Sequence, residues 1–356
     1  MGWYVTRVRK IGILTGGGDA PGLNAVLRAV VLCASNEVGL DVVGIRDGFG
    51  GFAEAHEGVV PLTREMVRGL LWRGGSILGC NNRYRGDPAF FVERMKELGL
   101  EGLIVVGGEG SLTVAAAMAA LGARIVGVPK TIDNDVEGTD QTFGFDTAVS
   151  LVADMCLRLI DTAESHHRVV IVEVMGRNAG HIALHGALAG SADIALIPEI
   201  PYRPEHVAQT ILDRARRHRT YTLVVIAEGA TCEGGAKVLD AYRSQLAGRE
   251  ILGGAGDVLA HELRQLVDHE VRSLSLAHLQ RGGMPTPFDR VLATRMGVLA
   301  ARALAASQTN VFTAYRNSIV QLAPLSDCAG RVRRVDPQGR FLSAARALGM
   351  SFGDGH

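Results

Sequence analysis

The feature that most narrows the fold is a short apolar run, a glycine-rich turn and a helix, met twice in the first third of the chain. Residues 11–14 run into Thr15-Gly16-Gly17-Gly18-Asp19-Ala20-Pro21-Gly22, and residues 23–34 continue as a helix. Residues 103–106 run into Gly107-Gly108-Glu109-Gly110-Ser111, and an alanine-rich helix is expected over 112–121 with Ser111 as its N-cap. Strand, turn and helix in this order build parallel sheets with crossover helices. Such a turn aims backbone N–H groups and a helix N-terminus at one point, where a phosphate can sit. Neither turn is a Walker A loop or a complete GxGxxG, so a dinucleotide site is disfavoured. A third glycine turn, Gly74-Gly75-Ser76-Ile77-Leu78-Gly79, leads to Asn82-Arg83-Tyr84-Arg85, a basic patch that could equally be a solvated loop.

Length and composition bound the rest. At 356 residues the chain is long for one core, so two domains are expected. Basic and acidic residues number 37 each, which gives no general pull toward nucleic acid or an acidic membrane, and neither partner is expected. Five widely spaced cysteines without a CxxC pair indicate free thiols in a reducing compartment, hence a cytoplasmic protein. Arg7, Arg9 and Lys10 are not followed by an apolar stretch of signal-peptide length. The apolar run over 112–121 is too short to span a bilayer.

Residues 129–135 read Pro-Lys-Thr-Ile-Asp-Asn-Asp after a short strand over 125–128. Lys130, Thr131, Asp133 and Asp135 place an amine, a hydroxyl and two carboxylates at a strand end, which suits proton transfer. The plainer reading is a polar turn, since Asp and Asn favour turns through side-chain to backbone bonds. Glu109 suits Mg²⁺, which takes one or two carboxylates beside phosphate oxygens, or it offsets the helix dipole. In the second half, strands over 169–174, 223–227 and 271–276 end in Met175-Gly176-Arg177, Glu228-Gly229 and Ala277-His278-Leu279-Gln280-Arg281-Gly282-Gly283. Single charges of this kind are often structural ion pairs, whereas four at strand ends suit a second anionic substrate. Helices are also expected over 65–72, 88–98, 146–162, 178–189, 256–266, 287–305 and 342–348. His181 and His185 have a metal-ligand spacing without the HExxH glutamate, which favours packed histidines over zinc.

Together these pieces resemble the 6-phosphofructokinase family. The match covers Gly16 to Asn24, Gly107 to Ser111, Pro129 to Asp135, Met175-Gly176-Arg177, Ala227-Glu228-Gly229 and His278 to Gly283, in the family's order across residues 11–295. The resemblance implies an α/β protein of two Rossmann-like domains with mainly parallel sheets and an interdomain active-site cleft. Residues 1–145 and 282–330 would hold Mg²⁺ and ATP; residues 146–281 and 331–356 would hold fructose 6-phosphate. Asp133 would be the base, Thr131 and Asp135 would position sugar and metal, and Arg177 would stabilise the transferring phosphoryl group. Gly18, Arg83, Gly108, Glu109, Gly110 and Ser111 would line the donor site, with Glu109 at the metal. Ile132, Met175, Gly176, Glu228, His278, Leu279, Gln280 and Arg281 would contact the sugar phosphate. Arg168 and Arg272 match positions supplied by a neighbouring subunit, which implies a homo-oligomer, a dimer or tetramer.

Two positions bear on the donor. Gly110 leaves room where an ATP α-phosphate passes, while Lys130 is typical of pyrophosphate enzymes. Steric exclusion is the stronger filter, so ATP is expected, with pyrophosphate as the alternative donor. A further alternative is a non-catalytic sugar-phosphate or nucleotide-binding protein. Phe49 stands at the position expected near adenine, and Asn82 falls where the donor-site arginine would be, with Arg83 one residue later. Residues 229–270 are longer than in compact members, and the tail after 329 matches no motif. Arg28 fits the family's effector site, but Leu32 and Ile160 replace two arginines there, which removes two cationic anchors for an anionic effector. ADP or phosphoenolpyruvate is therefore expected to shift the fructose 6-phosphate KM by less than about threefold, as initial-rate titrations would show.

Overall fold

The structure, a computed structural model, describes residues 9–54, 57–81, 86–239, 244–245 and 252–356. The chain divides into two units. The first comprises Met1–Ile132, Val136–Asp146 and Arg281–Val332; the second comprises Asp133–Asp135, Thr147–Gln280 and Arg333–His356. In chain order the elements are β1 (Arg9–Thr15), α1 (Leu23–Cys33), β2 (Leu40–Ile45), β3 (Val59–Pro61), α2 (Pro88–Glu97), β4 (Gly102–Gly107), α3 (Glu109–Ala120), β5 (Ile125–Pro129) and α4 (Phe145–His166). They continue with β6 (Val169–Val174), α5 (His181–Ala189), β7 (Ile194–Leu196), α6 (Pro204–Arg216), β8 (Thr222–Ala227), α7 (Ala255–Leu263), β9 (Val271–Ser275), α8 (Pro287–Ala305), β10 (Val311–Arg316), β11 (Ile319–Pro324) and α9 (Arg340–Ala347). No helix among the described residues is long and apolar enough to cross a membrane.

The first unit is built on a seven-stranded sheet in the order β11-β10-β5-β4-β1-β2-β3. The five inner strands are parallel, and the edge strands β3 and β11 pair antiparallel. β4 and β5 are buried along their whole length, as expected where helices cover both faces of a sheet. One face packs on α1 and α8, where Val26, Leu27, Met296 and Ala300 are buried. The other packs on α2 and α3, through Phe91, Met95, Leu112 and Ala115. Each of the larger side chains, Val, Leu, Met and Phe, contributes about 1.5–3 kcal/mol when fully buried. Strand β1 lies between β2 and β4, so the strand order reverses beside it. Crevices outside the carboxyl ends at such a point are where ligands bind in open α/β sheets.

The second unit has a four-stranded parallel sheet in the order β7-β8-β6-β9. Every residue of β6 and β8 is buried. The buried carboxylate of Glu173, a lone charge within β6, accepts from Gly254 N at 3.2 Å and Gly256 N at 2.8 Å. It thereby satisfies backbone donors at the start of α7. This gives part of the long stretch after β8 a structural purpose. Ser351, near the end of the sequence, bridges to Ile194 on the outer edge of β7, which covers part of an edge that β8 does not pair.

Several elements depart from expectation. Residues 65–72 form turns rather than a helix, with Gly69 at φ 75° breaking the run. Helix α3 begins at Glu109 with Gly108 as N-cap, so Ser111 lies inside its first turn. Helix α5 begins at His181, three residues later than expected. Strands β3 and β7 and helix α6 carry weak sequence marks. The hairpin β10–β11 turns at Asn317 and Ser318, with φ of 50° and 65°, the left-handed pair a two-residue hairpin needs but without its usual glycine.

His181 and His185 are packed, as their spacing without a glutamate implied. His181 is 5% exposed, and the His185 ring lies 4.5 Å from that of Phe341 on α9. Burial, then the Arg333 charge, pushes His181 down to about 3 and His185 down to about 4. Both stay neutral in the folded chain but protonate near pH 6.5 when it unfolds. The unfolded state therefore binds more protons below that pH, and stability falls as pH drops from about 6.5 toward 4. Buried Glu199, whose carboxyl is pushed up, opposes this trend. Replacing His185→Gln should flatten the pH dependence of the unfolding free energy in this window by up to about 1.4 kcal/mol per pH unit, the effect of one proton, measured by urea titration.

Candidate active site

In the first unit, the predicted phosphate turns lie side by side at the carboxyl ends of β1 and β4. Thr15 is in register with Val106, and Gly16 N donates to Val106 O at 2.8 Å. Gly107 must be glycine, because a Cβ there would fall 2.4 Å from Ser111 Cβ. The third glycine turn is stitched to the first by Thr15 and Asn24, which flank the first turn. Thr15 Oγ1 donates to Gly79 O at 2.6 Å and lies 2.9 Å from Ser76 Oγ. Asn24 Nδ2 donates to Arg73 O and Gly74 O, and its Oδ1 accepts from Ile77 N. Gly17, Gly18, Asp19, Gly75, Ser76, Gly79 and Cys80 line a cavity of about 390 Å³.

Two cations reach this turn. Lys130, 3% exposed, donates from Nζ to Gly18 O. Arg281 NH1 donates to Asp19 O at 3.1 Å, and a Cβ on Gly18 would meet the same guanidinium at 2.8 Å. Arg281 thus belongs to the first unit and sits at the glycine turn. Glu109 is the first residue of α3, and its Oε1 accepts from Thr113 Oγ1 at 2.8 Å. A Cβ on Gly110 would have nothing within 4 Å. Among the described residues, no group of three or more His, Cys, Asp or Glu side chains gathers as a metal site. The carboxylate of Glu109, on the helix that follows a glycine turn, fits a magnesium ion that arrives on a polyphosphate, with most of its ligands being phosphate oxygens and water. Arg83 and Asn82 lie outside the described residues. Phe49, expected near adenine, is instead 6% exposed and packs its ring 4.9 Å from Phe91, in the core.

The loop after β5 passes from one unit to the other. Thr131 O accepts from Thr142 Oγ1 at 2.8 Å, and Ile132 is fully buried, both within the first unit. Asp133 to Asp135 count with the second, where Arg333 N donates to Asp135 O at 2.9 Å. Asp133 keeps Oδ1 buried, and Asn134 takes φ 54° at 2% exposure, so the turn is fixed by its surroundings. The stretch is a polar turn, as the plainer of the two sequence readings has it.

In the second unit, the carboxyl ends of β6, β8 and β9 deliver the residues expected there. Met175 N donates to Gln280 Oε1 at 3.2 Å, and buried Gln280 Nε2 donates to Ala277 O at 3.0 Å. Gly176 has φ 139°, and a Cβ would lie 2.8 Å from Ala179 O, so only glycine turns the chain there. Gly229 N donates to Gly176 O at 3.2 Å, which joins the Glu228 turn to the Arg177 turn. Arg177, His278 and Leu279 are exposed, and Glu228 is half-buried. Lys237, from the long stretch after β8, donates to Arg177 O and to Asn178 Oδ1. Burial, then the Arg177 and Arg334 charges, holds its amine below the usual range against Glu228 and Glu199. Glu199 accepts from Gly180 N at 3.0 Å and Val335 N at 2.8 Å, tying the tail to the start of α5. Neither Lys237 nor Glu199 belongs to a motif, and only the folded chain brings them here.

Arg168 and Arg272 do not join this group. Both bind the Glu270 carboxylate, Arg168 at 2.5 Å, at the amino ends of β6 and β9. A six-residue strand at roughly 3.3 Å per residue separates them from Met175 by about 20 Å.

A family model described as phosphofructokinase matches residues 10–304. The ATP-dependent 6-phosphofructokinase of Chloroflexus aurantiacus is 45% identical over 361 residues, covering 98% of this chain and 99% of that protein. The pyrophosphate–fructose 6-phosphate 1-phosphotransferase of Streptomyces coelicolor is 44% identical over 333 residues, covering 92% and 96%. Among solved structures, the phosphofructokinase of Pichia pastoris in the T-state matches with a TM-score of 0.80 at 30% identity, covering 90% of this chain and 38% of that longer one. With both glycine turns, the paired-Asp turn and the strand-end residues in the matched span, this chain belongs to the phosphofructokinase family.

Proposed function

We propose that the protein transfers the terminal phosphoryl group of magnesium ATP to the 1-hydroxyl of fructose 6-phosphate, giving fructose 1,6-bisphosphate and ADP in the cytoplasm. The observation that carries this reading is the pair of glycine turns at the reversal point of the first sheet, with Glu109 as the first residue of the helix that follows the second turn. In this reading Gly18, Arg83, Gly108, Gly110 and Ser111 line the donor, and Glu109 offers an oxygen to the metal. Magnesium, when bound, neutralises charge on the polyphosphate. Asp133 accepts the proton of the sugar hydroxyl, Thr131 and Asp135 orient the alcohol, and Arg177 stabilises negative charge on the group in transfer. Ile132, Met175, Gly176, Glu228, His278, Leu279, Gln280 and Arg281 hold the sugar phosphate. Arg168 and Arg272 serve a neighbouring subunit's sugar phosphate, which makes the working form a dimer or tetramer; their place at the opposite strand ends supports that assignment.

The two donor classes stand at 45% and 44% identity, so identity alone does not separate them. Open space at Gly110 supports ATP, because nothing there obstructs the α-phosphate. Buried Lys130 supports the second reading, pyrophosphate as donor. A donor swap at fixed fructose 6-phosphate and Mg²⁺ is expected to give a kcat/KM at least about tenfold higher with ATP, and Gly110→Asp should lower the ATP value by about 10²-fold through charge and steric clash. A higher value with pyrophosphate would select the second reading. Asp133→Asn should lower kcat by roughly 10²–10⁴ with the fructose 6-phosphate KM within about threefold of wild type. An unchanged kcat would remove Asp133 from the role of base.

A further inference from the structure

Glu109 is a long side chain on the first residue of a helix, a position that leaves a carboxylate free to swing. One interaction fixes it. Thr113, one turn on, donates from Oγ1 to Glu109 Oε1 at 2.8 Å, with Glu109 O at 3.0 Å as the competing acceptor. Gly330 N in turn donates to Thr113 Oγ1 at 2.8 Å. A hydroxyl has one proton, and the Gly330 amide occupies an acceptor position on the oxygen. The Thr113 proton must then point away from Gly330, toward Glu109. Between the carboxylate and the helix carbonyl, the charged acceptor binds more strongly. Thr113 is exposed, so the Gly330 amide rather than packing sets its orientation.

Gly330 is exposed, but the turn that leads to it is anchored. It follows the turn Leu325–Asp327 and Cys328, and both Leu325 and Cys328 are buried in the cluster that contains Leu112 and Ala115 of α3. Cys328 N and Ala329 N both donate to Leu325 O. The amide of Gly330 and the helix carrying Glu109 are therefore parts of one packed body, all within the first unit. Among the described residues, Thr113 is the one side chain bonded to the Glu109 carboxylate, which leaves Oε2 for a ligand.

We propose that Thr113 is the positioning residue for the magnesium carboxylate, and that the Gly330 amide sets its aim. This deepens the reading above and rests on its assignment of Glu109 to the metal. Magnesium demands near-octahedral ligands at short range, so a ligand that swings binds it poorly. Groups that orient a metal ligand typically alter metal affinity or activity 10–100-fold when removed.

The test uses the full-length protein with Mn²⁺ as the probe, followed by electron paramagnetic resonance in the presence of β,γ-imido-ATP, alongside initial rates against free Mg²⁺. Thr113→Val keeps the volume and deletes the hydroxyl; Thr113→Ser restores it; Glu109→Gln tests the carboxylate itself. The expected result is a Mn²⁺ dissociation constant raised about 10–100-fold by Thr113→Val, with Thr113→Ser within about threefold of wild type and the fructose 6-phosphate KM within about twofold. If Thr113→Val leaves Mn²⁺ binding within twofold while Glu109→Gln weakens it at least tenfold, the proposal is overturned and the assignment of Glu109 stands. If Glu109→Gln also leaves binding unchanged, the assignment itself falls, and the proposal with it. If Thr113→Ser fails to restore binding and both variants lower the melting temperature alike, Thr113 is structural and the proposal is likewise overturned.

Discussion

The pairing of β1 with β4 is the constraint on which the rest depends. Because Thr15 is in register with Val106, the two strands end together, and the glycine turns that follow them open at the same level. Gly16 N, spent on Val106 O, joins one turn directly to the other strand. A register slip would move the turns apart and reverse the faces of a buried strand, so the hydrophobic core itself protects the site geometry. The two turns can come this close only because residue 16 has no Cβ, which would fall 2.5 Å from Ser111 Oγ.

Cationic side chains are then added to this frame. Lys130 and Arg281 converge on the first glycine turn, where each donates to a backbone carbonyl. Two positive charges at a glycine turn suit an anionic ligand. Arg168 and Arg272 are both paired with Glu270. The second unit repeats the logic at the carboxyl ends of β6, β8 and β9, where Gly176 and Gly229 draw two strand-end turns together and Lys237 closes over Arg177.

Much of this was legible along the chain. The strands β1, β4, β5, β6 and β8 are short apolar runs, and each ends in a motif whose residue types announce their chemistry. What was misjudged fails for local physical reasons. Residues 65–72 have a helical composition but a glycine that takes φ 75°. Phe49 was assigned by position to a ligand, yet an aromatic ring with Phe91 and Phe52 beside it finds more to pack against in the core. The hairpin β10–β11 uses Asn-Ser where the readable signal is Asn-Gly.

The sequence by itself determined the fold class, the glycine turns, the paired-Asp loop and the charged strand ends, because each depends on neighbours a few residues away. Only the tertiary structure decided which distant groups support them: Asn24 under the third glycine turn, Glu173 at the start of α7, Glu199 against Val335, and Gly330 behind Thr113 and Glu109. Those partners lie from about 50 to more than 200 residues apart in sequence. Their pairing follows from how helices pack on a sheet and where loops return, and no local pattern records a distance that packing alone sets.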